Sequence, residues 1–213
     1  MAIWWVRPDA TGDDNGTDWN NAWVSIASAM TKSDYTKGDV IYLHGTENYV
    51  GGIINGAVNT HVQFIAVNEL GIPTPSVFYT IDGTGASSYL FQFSSGGAQR
   101  RVLRNILFRN FSSGVMAFNN THAGSPYFHN CYFVQCGVIV AGGAGAAYPS
   151  FYSCVFWLCT TLFTGAVNYV TMQDCVVFNC TAVANGTGSL NATHCFFSTL
   201  TNGITPATSG TIN

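Results

Sequence analysis

Between residues 105 and 200 one short arrangement of apolar and polar positions returns five times: NILFRNF (105–111), NCYFVQC (130–136), SCVFWLC (153–159), DCVVFNC (174–180) and HCFFSTL (194–200). Aligned, the copies put Ile106, Cys131, Cys154, Cys175 and Cys195 in one column and Phe108, Phe133, Phe156, Val177 and Phe197 in a second. A third column holds Phe111, Cys136, Cys159, Cys180 and Leu200. The first column advances by 25, 23, 21 and 20 residues, a period range that marks a solenoid in which each repeat adds one layer to a shared core. Alternating apolar positions fit strands with one face buried. The pattern therefore predicts an all-β chain of stacked coils whose columns face the core.

The cysteines take their meaning from the columns. A slot that accepts Ile, Phe, Leu or Cys is a core slot, because free cysteine packs as a small hydrophobe. The five-residue spacing matches no structural zinc pattern, and a site built from Cys175, Cys180, His194 and Cys195 is disfavoured. Successive cysteines of a parallel stack lie about 4.8 Å apart, but side chains in register point the same way, which is poor geometry for a disulfide. Seven cysteines also leave one unpaired. The expectation is a reduced, buried ladder of Cys131, Cys154, Cys175 and Cys195 beside Cys136, Cys159 and Cys180, with no metal and no cofactor.

Upstream the period changes. In NNAWVSIASAM, Trp23, Ile26, Ala27 and Met30 recur at helical spacing, which predicts a short amphipathic helix with Asn20 or Asn21 near its cap. KGDVIYLHG then turns at Gly38 and becomes a strand over 40–43. A helix ahead of a solenoid covers the apolar end of the stack, otherwise an open edge. The expected organisation is a single domain over 1–213: cap and first coil (1–50), coils (51–200) and tail (201–213). The tail, ending TPATSGTIN, offers no second amphipathic helix, so a partner or a folded-back tail is expected to protect that end.

Composition narrows the setting. No run of 18 apolar residues occurs, which argues against a membrane helix. The start MAIWWVRPD lacks a basic leader followed by an apolar segment, and with unpaired cysteines this predicts folding in a reducing cytoplasm. Net charge is −3 with pI near 5.9, giving no nucleic-acid footprint. Nine of the ten carboxylates lie within the first 82 residues, leaving Asp174 alone in the later coils.

The opening IWWVRPDATGDDNGTDWNNAWVSIASAM, followed by KGDVIYLHGTENY, resembles the N-terminal portion of right-handed parallel β-helix proteins of the pectate-lyase-like class, and the NCYF phrase resembles their coil consensus. The resemblance implies a right-handed parallel β-helix with an N-terminal capping helix. It implies little about activity, since this architecture carries lyases, hydrolases, phage tailspikes and inert structural proteins.

Charge is the better discriminator between those functions. Glycosidases need two carboxylates flanking the bond, and the resemblance implies acidic calcium ligands plus a basic proton acceptor for pectate-lyase-type elimination. One coil carboxylate supplies neither. The acids of DATGDDNGTD (9–18) read as a solvated turn, and Arg100, Arg101, Arg104 and Arg109 as a basic stripe at an assembly contact. His129 and His194 read as polar turn residues. Ordinary soluble surfaces carry about a quarter charged residues, yet beyond residue 110 only Asp174 is acidic or basic, histidine aside.

Outward aromatic positions, Tyr132, Trp157 and Phe178, together with Arg104 and Arg109, are therefore expected to form an interface. The function expected from the sequence is a non-enzymatic structural protein of a bacteriophage virion, a capsid decoration or small appendage. It would be made in the host cytoplasm and assembled as a homo-oligomer such as a trimer with partners such as the major capsid protein. The alternative is a tailspike-like β-helix that binds or cleaves a surface carbohydrate. Neither reading involves nucleic acid or membrane.

Overall fold

The computed structural model describes residues 1–31, 35–49, 54–55, 62–86, 89–93, 101–118, 125–142, 148–165, 167, 169–186 and 189–202. Its strands stack, all in parallel, into three sheets of eight, seven and six strands, and each coil delivers one strand to each sheet in turn. The first sheet runs through Ile3–Val6, Val40–Leu43, Val62–Ala66, Arg101–Arg104, Tyr127–His129, Ser150–Tyr152, Tyr169–Gln173 and Ser189–Thr193. The second contains the repeated phrase: Thr46–Asn48, Tyr79–Asp82, Ile106–Arg109, Tyr132–Val134, Val155–Trp157, Val176–Phe178 and Phe196–Ser198. The third is Ile54–Asn55, Phe91–Phe93, Met116–Phe118, Val138–Gly142, Thr161–Gly165 and Ala182–Gly186. The chain is an all-β parallel β-solenoid, and the columns aligned from sequence are its registers: Phe108, Phe133, Phe156, Val177 and Phe197 are successive partners in the second sheet.

Those columns are the core. Phe108 stacks on Phe133 at 5.1 Å and Phe133 on Phe156 at 5.0 Å, both near parallel, because in-register partners repeat at the strand spacing. A second stack, Phe128 on Phe151 at 5.0 Å, rises from the first sheet. The two meet edge to face, Phe128 against Phe133 at 5.5 Å and Phe151 against Phe156 at 5.3 Å. Each such contact is worth about 0.5–1.5 kcal/mol beyond the area it buries.

The corners explain the cysteines. Asn105, Asn130, Ser153, Asp174 and His194 all have φ between 50° and 58°, and each turns the chain from the first sheet into the second. A second set, Asn110, Gln135, Leu158, Asn179 and Thr199, with φ from 52° to 62°, turns it toward the third. Each of these left-handed residues immediately precedes a column residue. Six cysteines are buried, Cys195 is half-buried, and all seven are free thiols. The left-handed turn leaves backbone carbonyls within reach of the thiol that follows: Cys154 Sγ lies 3.4 Å from the Tyr152 carbonyl and 3.5 Å from that of Phe128 in the preceding coil. Cysteine thus suits this slot as a small apolar side chain with one weak donor.

At the N-terminal end the helix is Ile26–Thr31, shorter than the period suggests. Its cap is Ser25, whose Oγ accepts from the Ser28 amide at 3.0 Å, rather than Asn20 or Asn21. Trp23 falls before the helix and bridges to Val6 as backbone partner. Ile26 and Ala29 are buried in the core, so the helix covers the stack. Gly38, at φ 94°, makes the expected turn into Val40–Leu43. Below the helix the Phe column begins with a carboxylate: Glu47, partner of Ile81, is buried and accepts from the Ile26 amide at 2.9 Å and the Tyr79 hydroxyl at 2.6 Å. The tail beyond residue 202 and the glycine run 143–147 lie outside the described residues.

Candidate functional site: a groove on the outer face of the first sheet

Alternation along the first sheet sends every second side chain outward. One outward column reads Ile65, Arg104, His129, Tyr152, Gln173, Thr193, and the other Gln63, Val102, Tyr127, Ser150, Thr171, Asn191. Two hollows, of 580 and 500 Å³, open on this face and share Gln63, Arg104 and His129. The first is walled by Pro73, Thr74 and Pro75, and the second ends at Lys37 beside Tyr127. Among the described residues no carboxylate lines either one.

The corner residues build the wall. Asn105 Nδ2 donates to the Thr74 carbonyl at 2.9 Å, and Asn130 Nδ2 to the Pro75 carbonyl and to Asn105 Oδ1, each at 2.9 Å. A side-chain amide ladder running along the stack therefore ties the 73–75 segment against the groove.

Arg104 is exposed and pairs with no carboxylate among the described residues. His129, its register partner, is half-buried, with its ring stacked nearly parallel on that of Tyr152 at 4.8 Å. Burial and then the neighbouring Arg104 cation lower the His129 pKa below its ordinary value, which favours the neutral imidazole. The site thus combines an exposed cation, an imidazole whose neutral form is favoured and a tyrosine hydroxyl with open access. It is suited to binding an anion and accepting a proton beside it.

The residues singled out from sequence are divided by the fold. His129 ends a strand rather than making a turn, whereas His194 is a corner residue. Among the described residues the arginines form no stripe. Arg101 is buried, which lowers its pKa to about 10. Arg104 points from the first sheet, Arg109 lies on the second, and Arg100 is outside the described residues. Arg109 Nε is paired with Asp82 Oδ2 at 2.7 Å. Tyr132, Trp157, Phe178 and Arg109 do come together, lining a 640 Å³ hollow on the second sheet from which Arg104 is absent. Tyr132 stands in register with Val155, while Trp157 and Phe178 are partners in the neighbouring column.

Other polar groups are occupied locally. In the acidic loop Asp9 pairs with Arg7 at 2.7 Å, Asp14 accepts from the Val24 amide at 2.8 Å, and Asp18 accepts from the Asn20 and Asn21 amides. Ser153, Asp174 and His194 occupy one corner on successive coils, with His194 Nδ1 3.4 Å from Asp174 Oδ1. That order places the carboxylate between serine and histidine, so no serine–histidine relay is formed. Among the described residues no group of three or more His, Cys, Asp or Glu converges as a metal-ligand set. No helix among them is long and apolar enough to cross a membrane.

No protein-family model matches the chain, and no curated protein matches it. Among solved structures it is similar to a PL6 family alginate lyase, AlyGC, with a TM-score of 0.58 and 14% identity. That match covers 82% of this chain but 27% of the lyase, so the chain spans about a quarter of that protein's length. It is also similar to a rhamnogalacturonan lyase, with a TM-score of 0.52 and 9% identity, over 90% of this chain and 67% of the other. At these identities the likeness is one of fold, and the chain shares the parallel β-helix architecture of these two polysaccharide lyases.

Proposed function

We propose that the chain engages an acidic polysaccharide along the outer face of the first sheet, with Arg104 pairing a uronate carboxylate and His129 accepting a proton beside it. The observation that carries this reading is the register pairing of Arg104 with His129 in a groove that no carboxylate lines among the described residues. The similarity in fold to an alginate lyase and a rhamnogalacturonan lyase supports it. Elimination at a carboxylate neutralised by calcium requires acidic ligands for that ion. An arginine on the substrate carboxylate removes that requirement.

The chemistry is a β-elimination. His129 takes the proton from the carbon bearing the carboxylate, and that C–H electron pair becomes the new carbon–carbon double bond. The glycosidic C–O bond breaks, the leaving oxygen receives its proton from Tyr127, and the proton held by His129 returns to Tyr127 through solvent. Arg104 stabilises the charge that grows on the carboxylate as the proton leaves.

The test is incubation with alginate, polygalacturonate and rhamnogalacturonan, following ultraviolet absorbance of the unsaturated product and, separately, binding by calorimetry. Cleavage or binding of at least one polymer, abolished by Arg104→Ala, is expected. Absence of both binding and cleavage across acidic glycans would sink the proposal. It would leave the rival reading, an inert oligomeric component of a phage particle, which rests on resemblance and on the scarcity of charge beyond residue 110.

A further inference from the structure

The second sheet presents a different outer surface. Tyr132, Val155, Val176 and Phe196 form one outward column and Trp157 and Phe178 part of the next, so the six side chains make one continuous patch. Trp157, Val176, Phe178 and Phe196 are 45%, 38%, 40% and 60% exposed. Exposed apolar side chains are ordinary when scattered, but adjacent ones around a hollow mark a contact surface.

We infer that this face is the contact between two copies of the chain. Charge selects the occupant. Arg109 at the rim is already paired with Asp82, and Asp174, the only acidic or basic side chain beyond residue 110 apart from histidines, is a corner residue facing His194. The face therefore offers no ion to an acidic or basic peptide, a phosphate or a lipid headgroup. It complements another uncharged apolar surface, and this chain carries one. A single patch is satisfied by a two-fold contact with itself, whereas a ring needs a second, different patch. Of the other exposed large hydrophobics, Leu158 follows Trp157 at the edge of this same patch, and Ile3 and Tyr169 belong to the first sheet.

Size agrees. Six partly exposed side chains with their rim bury on the order of 500–800 Å² per copy, reaching the range of about 800 Å² per partner in stable complexes. The first and second sheets form different sides of the solenoid, so the contact leaves the Arg104 groove open. The inference is independent of any glycan.

Light scattering on the full chain at tens of micromolar is expected to give twice the monomer mass of 22.8 kDa. Trp157→Lys is expected to return the monomer mass with an unchanged circular dichroism spectrum, while Arg104→Ala remains a dimer. If Trp157→Lys does not fold, Phe178→Ser carries the same test, with dimer dissociation strengthened at least tenfold. A wild-type monomer at these concentrations would overturn the inference, as would a folded Trp157→Lys that stays dimeric. A wild-type monomer whose glycan binding is lost in Trp157→Lys would reassign the face to carbohydrate.

Discussion

Glu47 Oε2 accepts a 2.6 Å hydrogen bond from the hydroxyl of Tyr79 at the point where the Phe column meets the capping helix. Burial pushes the Glu47 pKa up, and the bonds from Tyr79 and the Ile26 amide only partly offset it. The folded chain therefore holds this proton to a higher pH than the unfolded chain does. The associated stability is full below the unfolded value and is lost as pH rises through the folded one. Glu47→Gln should flatten that fall, measured as urea midpoints taken upward from about pH 4. An identical pH slope in the two proteins would show that Glu47 does not couple the cap to folding.

Asp82 acts in the opposite direction. Burial raises the pKa of Asp82, but bonds from Thr84, Asn110 and Arg109 outweigh it and bring the group to about 2. Its contribution is present above the unfolded value and disappears as pH falls toward 2. Asp82→Asn should therefore cost stability at neutral pH and cost progressively less in acid. The check is thermal melting of both proteins from pH 7 to pH 2.

The thiol ladder should be chemically silent in the folded chain. Burial raises the Cys154 pKa well above the ordinary thiol value, and Cys175, through its Cys154 neighbour and then burial, is pushed up to about 12. Thiolate is the reactive form, so a disulfide reagent should titrate these thiols slowly before denaturation and fully after it. Cys154→Ala should destabilise by about 1 kcal/mol, since little volume is lost. Rapid native labelling of Cys154 would contradict the buried ladder.

Leu158 occupies a left-handed corner at φ 56° although 42% of it is exposed. A γ-branched side chain pays a backbone penalty there that asparagine avoids. Leu158→Asn should therefore stabilise the monomeric unit by about 0.5–1 kcal/mol. Chemical denaturation at a concentration below dimer dissociation measures this, and a loss of stability would mean that Leu158 packs more than its exposure indicates.

The groove makes a prediction that needs no substrate. Arg104 is one of the causes that lower the His129 pKa, after burial. Arg104→Ala should move the His129 titration upward in NMR, and Arg104→Lys should largely restore it. If His129 serves as the base, the acid limb of any cleavage profile should lie below about pH 6.5 and move with it. A His129 titration indifferent to position 104 would separate the two residues. Asn130→Ala, which frees the Pro75 carbonyl, should weaken glycan binding several-fold with little effect on that titration.

The columns were legible because parallel, in-register stacking repeats side-chain requirements at each coil: Phe108, Phe133 and Phe156 meet the same neighbours and so share an identity. The corners were not, because left-handed backbone accepts Asn, Gln, Ser, Asp, His, Leu or Thr here and leaves only a partial asparagine signal. Arg101 and Arg104, read together as one basic cluster, face opposite sides of a strand. The groove was hidden for a related reason. Its outward column, Arg104, His129, Tyr152, repeats no residue type, and its wall at 73–75 comes from a connection remote in sequence. The helix start was misplaced because Trp23 and Ile26 both face the core, Trp23 from extended backbone and Ile26 from the helix.

From Cys131 onward the coil length falls through 23, 21 and 20 residues while both corners flanking the second sheet keep their length. The shortening falls between the third sheet and the first, where the step between register positions is 8 residues from Gly142 to Ser150, 6 from Gly165 to Thr171 and 5 from Gly186 to Asn191. Length variation is therefore uncoupled from the core. Peptide insertions along that one edge, even large ones, should leave the ladder and groove in register, whereas a one-residue insertion at Asn130 or Gln135 would rotate the next strand and bury its outward face. From Cys131 onward the molecule thus absorbs length changes along one edge, whereas an earlier coil took its extra length at the first corner, where 67–78 stands in place of a single residue and supplies the wall of the groove.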